Sequence, residues 1–304
     1  MRKNKKNIKI GIIDADLIDN GTRHPNLALM KIAGYLRDHE IPYSLILSEP
    51  DNINEFTYIF MSKVFTFSKE PNFLACFKKK RNIFKGGTGY YAEEEDFAKF
   101  INDRSSDMSS LEKNELLSGF SMARQMPDYH LYDGYIEKEV NIGRKRTKFI
   151  DYEKFSIGFL TRGCIRKCPF CVNKNIDSVT DYSDINDFLD VSRPRIYLWD
   201  DNILASKNWR IHLESLMATG KSFQFRQGLD IRLMTKEKAE ILSQCSYYGD
   251  YIFAFDQIKD KEIIEKKLKI WKEYGSHKTT KFYLFCGYEI SDDDSLITDI
   301  SSAK

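Results

Sequence analysis

The sequence predicts an α/β protein with two domains. Residues 1–150 are expected to form an open, Rossmann-like parallel sheet, and residues 151–304 a partial TIM-type (β/α) barrel of about five to six repeats. Apolar runs and helical patterns alternate through the first half, as they do in open parallel sheets. In the second half, five apolar runs recur at intervals of about 30 residues, which is typical of barrels. A basic run at residues 144–148 marks the boundary.

Four strands are predicted in the first half, at residues 8–14, 43–47, 56–64 and 82–84. After the first strand, Pro25 precedes a helix with four residues on its apolar face: Leu29, Ile32, Ala33 and Leu36. The glycine-rich turn at residues 86–89 lacks the full G-x-G-x-x-G spacing, so we interpret it as a plain tight turn.

Five strands are predicted in the second half, at residues 155–160, 195–199, 223–228, 251–255 and 282–286. Helices are expected near residues 209–217, at 236–244, and after Asp260, which we interpret as an N-cap. Barrels carry functional side chains at the carboxyl ends of their strands. Six polar residues occupy such positions: Asp200, Asp201, Asn202, Gln224, Arg226 and Asp256.

The composition is that of a soluble globular protein, with 42% apolar and 30% charged residues among 304. A net charge of +2 gives no indication of a nucleic-acid partner. No apolar stretch approaches the ~20 residues of a membrane span, and the run at residues 8–13 is too short for a signal core. We therefore expect a cytoplasmic protein with reduced thiols and no membrane partner.

Three of the six cysteines lie within eight residues, in the stretch Gly163-Cys164-Ile165-Arg166-Lys167-Cys168-Pro169-Phe170-Cys171. Such a loop can direct three thiolates at one soft-metal centre, and these short spacings are typical of iron–sulfur ligation. Nearby cations favour thiolates over thiols and offset the charge of an anionic cluster.

Three other interpretations of this stretch are a helical face, a structural zinc site and a disulfide. The spacing also fits one face of a helix, but Pro169 inside that helix would cost roughly 3 kcal/mol. A structural zinc site needs a fourth ligand, and Cys76, Cys245 and Cys286 are each isolated in sequence; zinc completed by a distant residue stays open. A disulfide would leave one clustered cysteine unpaired, in a chain without secretion signals.

The Cys-x₃-Cys-x-aromatic-Cys motif after a strand resembles the signature of the radical S-adenosylmethionine (SAM) enzymes. The resemblance implies that Cys164, Cys168 and Cys171 hold a [4Fe–4S] cluster and that Phe170 flanks the adenine of SAM. In that family the open iron binds SAM, and one electron then cleaves it to a 5′-deoxyadenosyl radical. By resemblance, Asp200 and Asp201 bind the cofactor's amino group, and Asn202, Gln224, Arg226 and Asp256 are further cofactor-binding candidates.

The first half resembles the cobalamin-binding-type domain of an uncharacterised bacterial subgroup of these enzymes. The cobalt-ligating motif Asp-x-His-x-x-Gly is not matched at His24, and the stretch from Asp128 to Asp133 lacks its glycine. We therefore expect a degenerate domain that binds no cobalamin, with His24 and His130 as ordinary surface or loop residues. A substrate-facing role of residues 18–30 is a further hypothesis.

The resemblance also implies an electron donor of flavodoxin or ferredoxin type. The family's core has six strands, whereas this chain ends about one helix after the fifth, which implies a truncated core or an unusually open barrel. Two alternative functions stay open: a cobalamin-type radical SAM methyltransferase and a non-catalytic zinc-binding α/β protein. The sequence does not identify the substrate.

Overall fold

The computed structural model describes residues 8–91, 115–168, 170–173 and 176–284. The first half forms one parallel sheet. The second half forms two groups of parallel strands, joined by isolated bridges and together termed the second sheet. The predicted end of the fifth barrel strand, with Cys286, lies outside the described residues.

The first sheet consists of four parallel strands in the order β2–β1–β3–β4. The strands are β1 (Ile10–Asp14), β2 (Tyr43–Leu45), β3 (Tyr58–Ser62) and β4 (Ile83–Gly86). The helices of this half are α1 (Ala15–Asp19), α2 (Leu27–Asp38), α3 (Thr88–Tyr91), α4 (Asp133–Asn141) and α5 (Ile150–Glu153). Ile12 faces the core around α2 and Ile13 faces the opposite core, so β1 is buried on both faces and its sequence is a continuous apolar run.

Buried carboxylates organise the carboxyl end of β1. Asp14 Oδ2 accepts a hydrogen bond from Tyr132 Oη (2.7 Å), and the Asp16 carboxylate accepts from Val64 N (2.7 Å) and Phe65 N (3.2 Å). Burial raises the pKa of Asp14 to about 6, although the Tyr132 hydroxyl lowers it. The Asp16 bonds fix the turn that follows β3. The Asp14 bond ties the end of β1 to Tyr132, which directly precedes α4.

The second half contains five parallel strands that neighbour one another in sequence order. They are β5 (Phe155–Gly158), β8 (Arg195–Leu198), β9 (Ser222–Phe225), β10 (Tyr251–Phe255) and β11 (Thr280–Leu284), with a short antiparallel hairpin of β6 (Thr161–Arg162) and β7 (Thr180–Asp181) after the first. Ladders join β5–β8–β9 and β10–β11, and two parallel bridges, Phe223–Tyr247 and Leu229–Phe253, link the two groups.

The two faces of the second sheet have different neighbours. Leu198 and Phe225 pack in the core formed with α6 (Trp209–Ala218), α7 (Lys236–Gln244) and α8 (Lys261–Tyr274). On the other face, Phe155 and Tyr197 stack (3.6 Å between ring centroids) beneath Leu27 and Ile150 from the first half. The first half therefore covers this second face. It is termed the helix-free face because α6, α7 and α8 pack on the other side of the sheet.

The predicted α/β class with parallel sheets is confirmed, and α7 and β10 have the predicted bounds. Within the described ranges, no strand pairing joins β11 back to β5, so a closed barrel is not seen there. The hairpin of β6 and β7 was not predicted. None of the described helices has the length and apolar character needed to cross a membrane.

Gly34 in α2 provides a test of the packing in the first half. A Cβ at Gly34 would lie 2.0 Å from Met126 O, whereas a Cβ at Gly134 in α4 would meet nothing within 4 Å. We expect Gly34→Ala to destabilise the fold by about 1–3 kcal/mol through overpacking, and Gly134→Ala to be neutral or stabilising. Urea unfolding followed by circular dichroism measures both effects. Equal midpoints for Gly34→Ala and the wild type would contradict this packing.

Candidate functional site

The cysteine loop is the connection between β6 and β7. Gly163 opens it with φ +100°, and a Cβ there would lie 2.3 Å from Ser178 O, so glycine is required. Lys167 also adopts a left-handed conformation (φ +44°). Cys171 N donates to Cys168 O (2.9 Å) in a turn. The described part of the loop contains no helix, which rules out the helical interpretation there.

All three cysteines line one cavity of about 310 Å³. Cys168 is 8% exposed, and Cys164 and Cys171 are partly exposed. Burial raises the pKa of the Cys168 and Cys171 thiols, and the nearby charge of Cys164 raises both further, whereas Arg166 lowers the pKa of Cys168. In the described part of the chain, no three His, Cys, Asp or Glu side chains form a group that could hold a single metal ion.

The cavity lies at the carboxyl end of the second sheet. Seven of the predicted site residues line it: Cys164, Cys168, Cys171, Phe170, Asp201, Asn202 and Asp256. Seven residues that the sequence did not single out as site candidates complete the wall near the strand ends and the loop: Val172, Asn173, Gln227, Gly228, Leu229, Asp230 and Ala254. The remaining lining residues are Arg166, Lys167 and Tyr283.

Asp200 and Asp201 follow β8 and fasten the backbone that leads into the cysteines. The Asp200 carboxylate accepts from Leu160 N (3.2 Å), Thr161 N (2.6 Å) and Thr161 Oγ1 (2.7 Å). Asp201 Oδ2 accepts from Gly163 N (2.8 Å). Asp200 is only 1% exposed and does not line the cavity, and its carboxylate binds residues just before the loop.

Asn202 brings an amide into the cavity wall. Its Nδ2 donates to Asp230 Oδ2 (3.3 Å) and lies 3.6 Å from Cys164 Sγ. A carboxylate only accepts hydrogen bonds, so the Asp230 contact identifies the amide nitrogen. The buried Asn202 Oδ1 has no hydrogen-bond partner among the described residues. This leaves an unused acceptor at the cavity.

A charge network anchors the cysteine loop to later strands. Arg166 is 8% exposed at its side chain and pairs with Asp256 Oδ2 (3.0 Å) and Asp260 Oδ2 (3.2 Å). Arg232 pairs with Asp260 (3.1 Å) and Asp230 (2.8 Å). Asp260 occupies the N-cap position of α8 as predicted, but its side chain makes no capping hydrogen bond and binds these arginines instead.

The sequence did not identify Asp230, Arg232 or the pairing role of Asp260. A weak signal was present, because Asp230 and Arg232 lie in the connection that follows β9. They lie further from the end of their strand than Asp200 and Asp201 do from the end of β8, so the strand-end criterion did not include them.

Gln224 and Arg226 do not line the cysteine cavity. They lie on the helix-free face of β9 and just beyond it, where Arg226 Nη1 donates to Gln224 Oε1 (3.0 Å). Arg226 also contacts His24 (3.2 Å), and His24 lies 2.9 Å from Asp151. His24 lies in the loop before α2, in line with its prediction as a surface or loop residue, and its side chain is 21% exposed and packs against Trp199 (5.1 Å between ring centroids). His130 is exposed, with its ring 2.8 Å from Asp133.

Comparisons with known proteins give no relatives: no family model, no curated protein and no solved structure matches the chain. The functional interpretation therefore depends on the residues themselves.

Asp200 provides a test of how the loop is held. Burial raises its pKa to about 6, outweighing the hydrogen bonds from Thr161 and Leu160 that lower it. Because the folded-state pKa exceeds the ordinary value of 3.8, the folded protein retains a proton that the unfolded chain has lost between about pH 4 and 6. The contribution of Asp200 to stability therefore falls as pH rises through that window, by about 1.4 kcal/mol for each unit of pKa difference.

We expect Asp200→Asn to lose less stability than the wild type when the pH is raised from about 4.5 to about 7.5. Urea unfolding at both pH values measures this difference, and Asp14 contributes the same trend to both proteins. The exposed Asp177 (73% at its side chain) supplies the control, since Asp177→Asn should retain the wild-type dependence. Identical pH dependence in Asp200→Asn and the wild type would contradict a proton held by Asp200.

Proposed function

We propose that the chain is a radical SAM enzyme, which reductively cleaves S-adenosylmethionine at a [4Fe–4S] cluster held by Cys164, Cys168 and Cys171. One observation carries the proposal: the three cysteines of one short loop line a single cavity at the carboxyl end of a parallel sheet. We also propose that the five strands in sequence order are a partial TIM-type barrel and that the first sheet is Rossmann-like. Both sheets are parallel, as these folds require.

The cavity residues fit a cluster with three protein ligands. Each thiolate of a cubane binds a different iron, so the three sulfurs need not surround one ion. A structural zinc site, by contrast, needs four ligands around one metal, and this loop supplies three cysteines. The donor set therefore suits a cluster with one open iron better than a closed zinc site.

The cavity also suits a cationic cofactor. Its wall carries three carboxylates, on Asp201, Asp230 and Asp256, against the cations Arg166 and Lys167. SAM carries a sulfonium and an amino group, and a surplus of acidic groups favours both. The unused Asn202 Oδ1 is an acceptor that an ammonium group could fill. Phe170 provides an aromatic surface at the same cavity for the adenine.

Cys164, Cys168 and Cys171 would hold the cluster, which would supply the electron for reductive cleavage of SAM. The electron comes from a reduced flavodoxin- or ferredoxin-type donor. The chain's own contribution is positional: Asp201 fixes the start of the loop through Gly163 N, and Arg166 fixes its middle.

Replacement of Cys168 tests the proposal. We expect the wild type, reconstituted anaerobically and reduced with dithionite, to bind iron and sulfide and to convert SAM to 5′-deoxyadenosine. Cys168→Ala should lower 5′-deoxyadenosine formation by more than about 100-fold, because changes outside the ligand set already cost about 10–100-fold at metal sites.

Cys76 supplies the matched control, because it is exposed and does not line the cavity. Cys76→Ala should retain both the cluster and the cleavage of SAM. Normal 5′-deoxyadenosine formation by Cys168→Ala, or zinc without iron in the anaerobically purified wild type, would contradict the proposal.

A further inference from the structure

A second polar group lies beside the cysteine cavity, on the helix-free face of the second sheet. Trp199 and Arg226 are the first residues after β8 and β9. Asp201 lies two residues after Trp199, and Gln227 directly follows Arg226. Asp201 and Gln227 both line the cavity. Successive Cα atoms are about 3.8 Å apart, so the two sites adjoin.

Both halves of the chain build this group. His24 comes from the segment before α2 and Asp151 from α5, whereas Tyr197, Gln224 and Arg226 come from β8 and β9. His24 Nδ1 lies 2.9 Å from Asp151 Oδ2, and Asp151 Oδ1 accepts from Tyr197 Oη (3.0 Å). The His24 ring lies edge-on to Tyr197 (6.0 Å) and Trp199 (5.1 Å). The sheet thus supplies an aromatic wall around an imidazole.

The contact with Arg226 indicates which ring nitrogen of His24 accepts. A guanidinium has only donors, so in this contact His24 Nε2 accepts from Arg226 Nη2 (3.2 Å). The other ring nitrogen, Nδ1, faces Asp151. Burial alone would raise the pKa of Asp151, but the hydrogen bond and charge of His24, the hydrogen bond of Tyr197 and the charge of Arg226 lower it. Arg226 and Asp151 contribute opposite charges to the group.

The guanidinium of Arg226 is only partly used. Nη1 donates to Gln224 and Nη2 donates to His24, whereas the buried Nε has no partner in the described part of the chain. A guanidinium has five N–H groups in a planar fork that matches carboxylate and phosphate oxygens. Arg226 Cζ lies 4.8 Å from the centroid of the Tyr197 ring, and this contact holds the orientation of the guanidinium plane.

We propose that Arg226, with His24 beside it, binds an oxyanion of the substrate, a carboxylate or a phosphate group. This assigns Arg226 to the substrate instead of to SAM. That the oxyanion belongs to the substrate depends on the function proposed above, because the group adjoins the cavity assigned to the cofactor. The oxyanion site itself does not, and its occupancy can be measured on the full-length chain without a cluster.

Oxyanion binding should be coupled to a proton. A bound anion adds negative charge beside His24, and that charge favours a protonated imidazole. The ionisable side chains in contact with His24 are Asp151, Tyr197 and Arg226. The pKa of Asp151 is lowered and the pKa of Tyr197 is raised, so both move away from neutral pH. The affinity for the anion should therefore fall as the pH rises.

Isothermal titration calorimetry of the full-length, reduced protein tests the site with two probes, succinate and inorganic phosphate, at fixed ionic strength. We expect saturable binding of at least one probe, and Arg226→Gln should weaken it by at least about tenfold. Preference for succinate indicates a carboxylate substrate, and preference for phosphate a phosphorylated one. Arg226→Lys keeps the charge without the fork and should also weaken binding, which preserves the test if Arg226→Gln does not fold.

Proton uptake on anion binding distinguishes the proposed role of His24 from a merely structural role, which would leave it unchanged. Titrations with succinate in buffers of different ionisation enthalpy count the protons, since phosphate itself titrates in this range. The wild type should take up about one proton per succinate at about pH 7.5, and His24→Gln should take up none. Where phosphate alone binds, its affinity at about pH 8 and about pH 9 should fall in the wild type and stay level in His24→Gln.

Arg195 supplies the matched control, because it stacks over Tyr248 (4.3 Å) at the opposite end of β8. Arg195→Gln should bind the probes like the wild type. The proposal is overturned if neither probe binds saturably, if the Arg226 variants bind like the wild type, or if His24→Gln shows unchanged proton coupling. Failure of the cluster, seen as absent iron and 5′-deoxyadenosine, is a separate result.

Discussion

Two adjacent carboxylates at the end of β8 hold the backbone on which the cysteine site depends. Asp200 bonds to the backbone at Leu160 and Thr161, and Asp201 bonds to Gly163 N. These contacts join the end of β5 to the end of its neighbour in the sheet and set where the loop leaves it. Ordering the loop costs conformational entropy, and these contacts from the sheet help to offset that cost.

The middle of the loop is held by charge. Arg166 reaches the residues that follow β10, and Asp260 shares its carboxylate between Arg166 and Arg232. Because these side chains are mostly buried, removal of one partner would leave an uncompensated charge, which is costly. Side chains that follow β8 and β10 therefore hold the same loop, so the position of the cavity wall depends on contacts from several strands.

Sequence patterns predicted the strands because buried strands are apolar throughout, and they placed Asp201, Asn202 and Asp256 at the cavity because strand ends meet at one edge. Which of two neighbouring carboxylates faces the cavity depends on the local turn, and here it is Asp201, whereas Asp200 binds the backbone before the loop. The alternation of β9 put Gln224 on the helix-free face, but its partners there come from distant segments. His24 and Asp151 are far apart in sequence and from Arg226, and no local pattern indicates that they meet.

Electron paramagnetic resonance of the anaerobically purified, dithionite-reduced protein, recorded with and without SAM, tests the central claim most directly. Three thiolates from one loop leave one iron of a [4Fe–4S] cluster for an outside ligand. The account predicts one such cluster per chain and a spectrum that changes when SAM is added. A cluster signal that SAM leaves unaltered, or protein that holds zinc in place of iron, would contradict it.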